Sequence, residues 1–117
     1  MKNQPIARKL RNACAGIRFA WTAERNFRVH VLLGLVTLIA FAVVRPTAWW
    51  WALIVLCVAL VLAAELVNSA VEALTDHLHP QQHPVVGKVK DMLAGMVLVI
   101  SVGAAVVAMI ALYASLT

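Results

Sequence analysis

The sequence predicts an all-α membrane protein with three transmembrane helices and an N-terminal amphipathic helix on the membrane surface. Three observations predict it. Hydrophobic residues make up 63% of the 117 residues and charged residues only 13%, against roughly 25% charged in soluble domains. Three long apolar stretches are separated by short polar ones. Basic residues crowd one end: Lys2, Arg8, Lys9, Arg11, Arg18, Arg25 and Arg28. A soluble fold of this size has too little interior to hide so much apolar surface, and the length suits a single domain over residues 1–117.

The surface helix is expected over residues 5–22. Ile6, Leu10, Ala13, Ile17 and Trp21 recur at helical spacing on one face, with Arg8, Arg11 and Arg18 on the other. Pro5 suits a first helical turn, and a basic amphipathic helix beside membrane spans reads as interfacial. The first span is expected at about 29–45, where "VHVLLGLVTLIAFAVV" runs to Arg45-Pro46, a helix stop. It is short against the roughly 20 residues a span needs, so Arg28 and His30 are placed at its entrance, snorkelling. The second span, about 48–76, begins with Trp49, Trp50 and Trp51, a membrane-interface signature. The third, about 84–116, follows Pro84 and is uncharged from Met92 to its end.

The formal net charge of +5 would suggest nucleic acid in a soluble chain, but aromatic interleaving and a binding fold are missing. In a membrane chain the same basic cluster sets orientation and attracts anionic headgroups. It places the N-terminus and residues 77–91 in the cytoplasm and the C-terminus outside, and Lys88 and Lys90 agree. Cys14 and Cys57 lack metal-ligand spacing, and Cys57 reads as a small hydrophobe. No disulfide framework follows. A signal peptide fits poorly, because its apolar core and cleavage site are missing.

All five acids, Glu24, Glu65, Glu72, Asp76 and Asp91, fall at the cytoplasmic side of that topology. Counted from Trp49, Glu65 lies about 24 Å along a hydrocarbon core of about 30 Å. An ionisable residue at such depth is a functional candidate by default, since it costs roughly 2.5–3.5 kcal/mol at the bilayer centre and less near an edge. At 100° per residue, Glu65, Asn68, Glu72 and Asp76 share a stripe about 80° wide, with Ser69 beside it. Carboxylates this close repel unless a cation lies between them, and Mg²⁺ accepts oxygen ligands while bridging to phosphates. The competing reading is a polar seam joining helices, with the acids paired to Arg18, Arg25 or Arg28.

In "HPVVGKVKD" a helix from Pro84 puts His83, Gly87, Lys90 and Asp91 on one face. Gly87 permits close approach of a ligand, Lys90 can neutralise phosphate, and Asp91 can hold a metal or complement the helix N-terminus. Lys88 reads as membrane anchoring. Phosphoryl transfer asks mostly for positioning and charge neutralisation, which these residues can supply. Walker A and kinase Gly-rich loops are missing.

These motifs, "AERNFR", "ELVNSAVEALTD" and "HPVVGKVKD", resemble the prokaryotic diacylglycerol kinase family of small integral-membrane kinases, in order and spacing over nearly the whole chain. The resemblance implies a homotrimer with active sites at the cytoplasmic interface of the inner membrane. It further implies transfer from ATP, with Mg²⁺, to a lipid alcohol, with no nucleic-acid partner. By motif position it makes Glu65 the general base and Glu24 and Glu72 the metal ligands. Asn68, Lys90 and Asp91 would support nucleotide and phosphate, with Ser69, Asp76, His83 and Gly87 nearby. "ERNFRVH" and His83-Pro84 look closer to the branch that phosphorylates undecaprenol than to the diacylglycerol branch, which often has a small hydroxyl residue where Val86 stands. Two readings from other classes compete. One is a metal-binding or metal-transporting protein using Asp76, His77, His79 and His83, ligand types suited to transition metals. The other is a non-catalytic helical assembly subunit.

Overall fold

The computed structural model describes residues 5–117; Lys2, counted above with the basic residues, lies outside them. Among the described residues there are four helices and no strand: α1 (Ile6–Ala23), α2 (Arg25–Val44), α3 (Ala48–Leu78) and α4 (Pro84–Leu116). Of these, α2, α3 and α4 are long and apolar enough to cross a membrane, with 20, 31 and 33 residues. At 1.5 Å per residue α3 is roughly 46 Å long, so it overruns a hydrocarbon core of about 30 Å. Measured from Trp49, the overrun carries Glu72 and Asp76 and leaves Glu65 inside.

The chain breaks where local chemistry requires it. Arg45 closes α2 in the left-handed conformation, φ 61°, with its N–H bonded to the Phe41 carbonyl, and Pro46 cannot continue the helix. The α3–α4 connection carries Pro80, and α4 starts on Pro84, whose missing N–H costs a first turn nothing. There His83 caps the helix, its Nδ1 accepting the Val85 N–H at 3.1 Å.

Between α1 and α2 the break is a single residue. Glu24 is extended (φ −117°, ψ 111°), its N–H closing α1 on the Ala20 carbonyl and its carbonyl accepting the Arg28 N–H. Arg28 Nη1 donates to the Trp21 and Thr22 carbonyls, at 2.7 and 3.2 Å. A basic side chain thereby satisfies carbonyls that the last turn of α1 leaves open. Arg28 therefore pins the corner between α1 and α2, and does not snorkel alone as the sequence suggested. The helix that carries the first span begins at Arg25, with Arg25–Arg28 as its first turn.

Phe41, Ile54 and Ala111 form a buried cluster at the end of the bundle remote from Glu24, with Leu38, Val44, Trp50, Trp51 and Ala108 packed around it. Only Trp49, 68% exposed, projects outward; Trp50 and Trp51 turn their rings onto the cluster because a helix cannot present three consecutive residues on one face.

Nearer the other end, α2 and α3 meet at Gly34. A Cβ there would lie 2.8 Å from Val58 Cγ1, and a β-branched side chain in a helix has little freedom to yield. Gly34→Ala is expected to destabilise the bundle by about 1–3 kcal/mol through overpacking. Thermal unfolding in detergent checks this: a midpoint at or above wild type contradicts the close approach.

Candidate functional site

The acidic stripe of α3 faces its neighbouring helices. Glu65 is 3% exposed, the one charged residue buried among those described. Burying a carboxylate in apolar surroundings requires a partner, and α2 provides one: His30 Nδ1 lies 3.0 Å from Glu65 Oε1. Gly34 stands one turn further along α2 from His30, so the close approach it allows is also what brings the imidazole within reach. Below them a cavity of about 290 Å³ runs between α2, α3 and α4, lined mostly by apolar side chains together with His30, Thr37, Cys57 and Ser101.

Asp76, at the far end of the stripe, is paired with Lys90 of α4 through Oδ1, and Lys90 also feels the charge of Glu72. Asp76, His83, Gly87 and Lys90 line one hollow of about 530 Å³ with the 79–82 loop. The capped N-terminus of α4 lines it through His83, Pro84, Val86 and Gly87, and there the helix dipole favours anions. A Cβ on Gly87 would meet nothing within 4 Å, so the chain's own side chains leave that surface open.

Glu24 and Ser69 meet at a third hollow, between α1 and α3, whose other walls are Ala13, Gly16, Ile17, Phe19, Ala20, Leu66, Ala70 and Ala73. Glu24 thus meets the flank of α3 at Ser69, and the stripe residues Glu65, Asn68, Glu72 and Asp76 are not among the walls of that hollow. Asn68 and Glu72 are half-buried on that stripe. Asp91 is exposed and stands outside the hollow that takes Lys90, because one residue along a helix turns the side chain by about 100°.

The polar-seam reading now divides. Among the described residues the ion pairs are His30–Glu65 and Lys90–Asp76, and Arg28 is committed to carbonyls. Arginine pairing of the stripe is therefore not what the structure shows. For Asp76 a structural partner exists. Glu24, Glu72 and Asp91 make no side-chain hydrogen bond or ion pair among the described residues, which leaves carboxylate oxygens for a ligand.

Among the described residues no group of three or more His, Cys, Asp or Glu side chains is placed to hold a metal ion. That disposes of Asp76, His77, His79 and His83 as a ready transition-metal site, although the His79 and His83 rings sit 6.0 Å apart. It leaves a different mode open. Mg²⁺ keeps several waters and takes one or two carboxylates together with substrate phosphates, and the unpartnered oxygens of Glu24 and Glu72 have the chemistry for that.

Sequence reasoning missed His30. A depth count would have found it. His30 lies 14 residues before the end of α2, about 21 Å from the α2–α3 turn, and Glu65 about 25 Å from it on α3.

A family model described as "Prokaryotic diacylglycerol kinase" matches residues 11–112. A diacylglycerol kinase of Synechocystis is 34% identical over 98 residues, covering 83% of this chain and 56% of its own length. A diacylglycerol kinase of Escherichia coli K12 is 32% identical over 84 residues, 72% of this chain and 69% of that protein. An undecaprenol kinase of Bacillus subtilis is 32% identical over 91 residues, 78% of this chain and 74% of that protein. The matched region thus spans little more than half of the Synechocystis protein.

Proposed function

Because the chain belongs to the prokaryotic diacylglycerol kinase family, we propose that it transfers the γ-phosphoryl group of ATP to the hydroxyl of a membrane lipid. The product is phosphatidic acid from diacylglycerol or undecaprenyl phosphate from undecaprenol, the two lipids named by its relatives. The observation that carries the reading is the buried carboxylate of Glu65 on the same α3 stripe whose far end, about three turns on, opens with Lys90, His83 and Gly87 into a polar hollow.

Glu65 takes the proton from the lipid O–H; the lipid oxygen bonds to the γ-phosphorus, and the bond from that phosphorus to the ADP oxygen breaks. A positioned carboxylate base contributes about 10²–10⁴-fold to such a step. Lys90 offers its ammonium to phosphate oxygens as a point charge, and the N-terminus of α4 adds the positive end of its dipole. Asn68 and Ser69 border the reacting groups as hydrogen-bonding side chains, and Asp91 supports the nucleotide side. Glu24 and Glu72 would hold Mg²⁺, which when bound neutralises phosphate charge. The lipid arrives laterally and ATP from the water.

In this reading α1 lies on the cytoplasmic surface of the inner membrane. Its exposed apolar residues Ile6, Leu10, Ile17 and Trp21 suit the headgroup boundary, with Arg8, Arg11 and Arg18 toward water. The apolar flanks of the spans, among them Leu35, Val36, Ile39, Val99 and Met109, are also exposed and serve contact with lipid and with other copies in a homotrimer.

Purified protein in mixed micelles with γ-labelled ATP, offered diacylglycerol and undecaprenol side by side, tests the proposal. Label is expected in one or both lipid phosphates and in neither without Mg²⁺. Label in neither lipid with Mg²⁺ present refutes it.

A further inference from the structure

We propose that His30 is a positioning residue for Glu65, holding its carboxylate aimed across the α2–α3 contact. The inference rests on Glu65 as the base. His30 Nδ1 stands between two oxygens, the Asn26 carbonyl at 3.1 Å and Glu65 Oε1 at 3.0 Å. A backbone carbonyl only accepts, so a proton belongs on Nδ1, which fixes the tautomer by its surroundings. Nδ1–H is held by the carbonyl, which orients the ring from within α2, and the same nitrogen stands 3.0 Å from Glu65 Oε1, so the ring sets where the carboxylate lies on α3.

The consequence for Glu65 is specific. Oε1 is engaged, while Oε2 makes no hydrogen bond among the described residues and is left to accept the lipid proton. A carboxylate with 3% exposure has almost no water to stabilise its charge, and a charge-assisted hydrogen bond is the stronger kind available in such surroundings. The donor also locks the rotamer, and supporting groups of this kind are worth about 10–100-fold at reactive centres. Gly34 and the Arg28-pinned corner set the depth and spacing at which α2 presents the ring.

The test exploits the two ring nitrogens. An asparagine amide places its N–H₂ where Nδ1 sits; a glutamine amide places it where Nε2 sits. His30→Asn is expected to keep most of the wild-type kcat. His30→Gln and His30→Leu are expected to lose about 10–100-fold in kcat, with the KM for ATP unchanged. Thermal unfolding in detergent is run alongside; should His30→Leu fail to assemble, the Asn–Gln contrast between two polar amides still decides. Glutamine performing as well as asparagine, asparagine failing as badly as glutamine, or leucine running at the wild-type rate overturns the inference. Glu65→Gln separates this from the underlying reading: its full activity removes the base assignment itself, whereas an inactive Glu65→Gln beside a fully active His30→Gln removes only the role of His30.

Discussion

Glu65→Gln is expected to lower lipid phosphorylation by about 10²–10⁴-fold, the share a positioned general base contributes, without loosening the bundle. Glutamine matches glutamate in size, and its amide oxygen can still accept from His30 Nδ1, the contact that is 3.0 Å long in the native chain. The amide cannot accept the lipid proton. The wild-type side chain is only 3% exposed, so bulk water has little access to stand in as base. The initial rate in micelles and the unfolding midpoint are measured on the same preparation. A lost rate with an unchanged midpoint is the expected pair; a lost midpoint makes Glu65 a structural member of the α2–α3 contact, and a preserved rate removes it from the chemistry. More Mg²⁺ should recover nothing, since the missing group is a proton acceptor.

Glu72→Gln is expected to behave differently on that last count. Glu72 is half-buried on the same stripe, lacks an ion pair among the described residues and adds its charge to the field around Lys90. Losing a carboxylate ligand should raise the Mg²⁺ concentration for half-maximal rate by about 10–100-fold, the scale on which weakened coordination acts. Excess Mg²⁺ should then restore much of the rate. Titrating Mg²⁺ at saturating ATP checks this. A proportionate loss of rate at every Mg²⁺ concentration assigns Glu72 to some role other than holding the ion.

Much of this was legible without coordinates. The apolar stretches, Pro84 at a helix start and Arg45-Pro46 at a helix stop declare themselves by composition and period, properties local to a few turns. The acidic stripe was legible for the same reason: residues 65, 68, 72 and 76 share a face whatever that face touches. What lay beyond reach was which helix each side chain would meet. His30 looked like an interfacial residue until the approach at Gly34 brought it to Glu65. Arg28 looked like a partner for an acid, yet the open carbonyls of α1 claim it. Trp50 and Trp51 read as a membrane-interface signature, and rotation about the helix axis half-buries them against the Phe41 and Ile54 cluster. Asp91 shares a sequence motif with Lys90 but not its hollow, a matter of helical phase that grouping by spacing had blurred.

The central claim is direct transfer to a lipid hydroxyl by a buried carboxylate to which bulk water has little access. Counting ADP and phospholipid formed in one reaction tests it most directly. The account predicts about one lipid phosphate for each ADP in the native protein, and almost none of either with Glu65→Gln. ADP released without matching lipid phosphate, or lipid phosphate made by Glu65→Gln at the native rate, would contradict it.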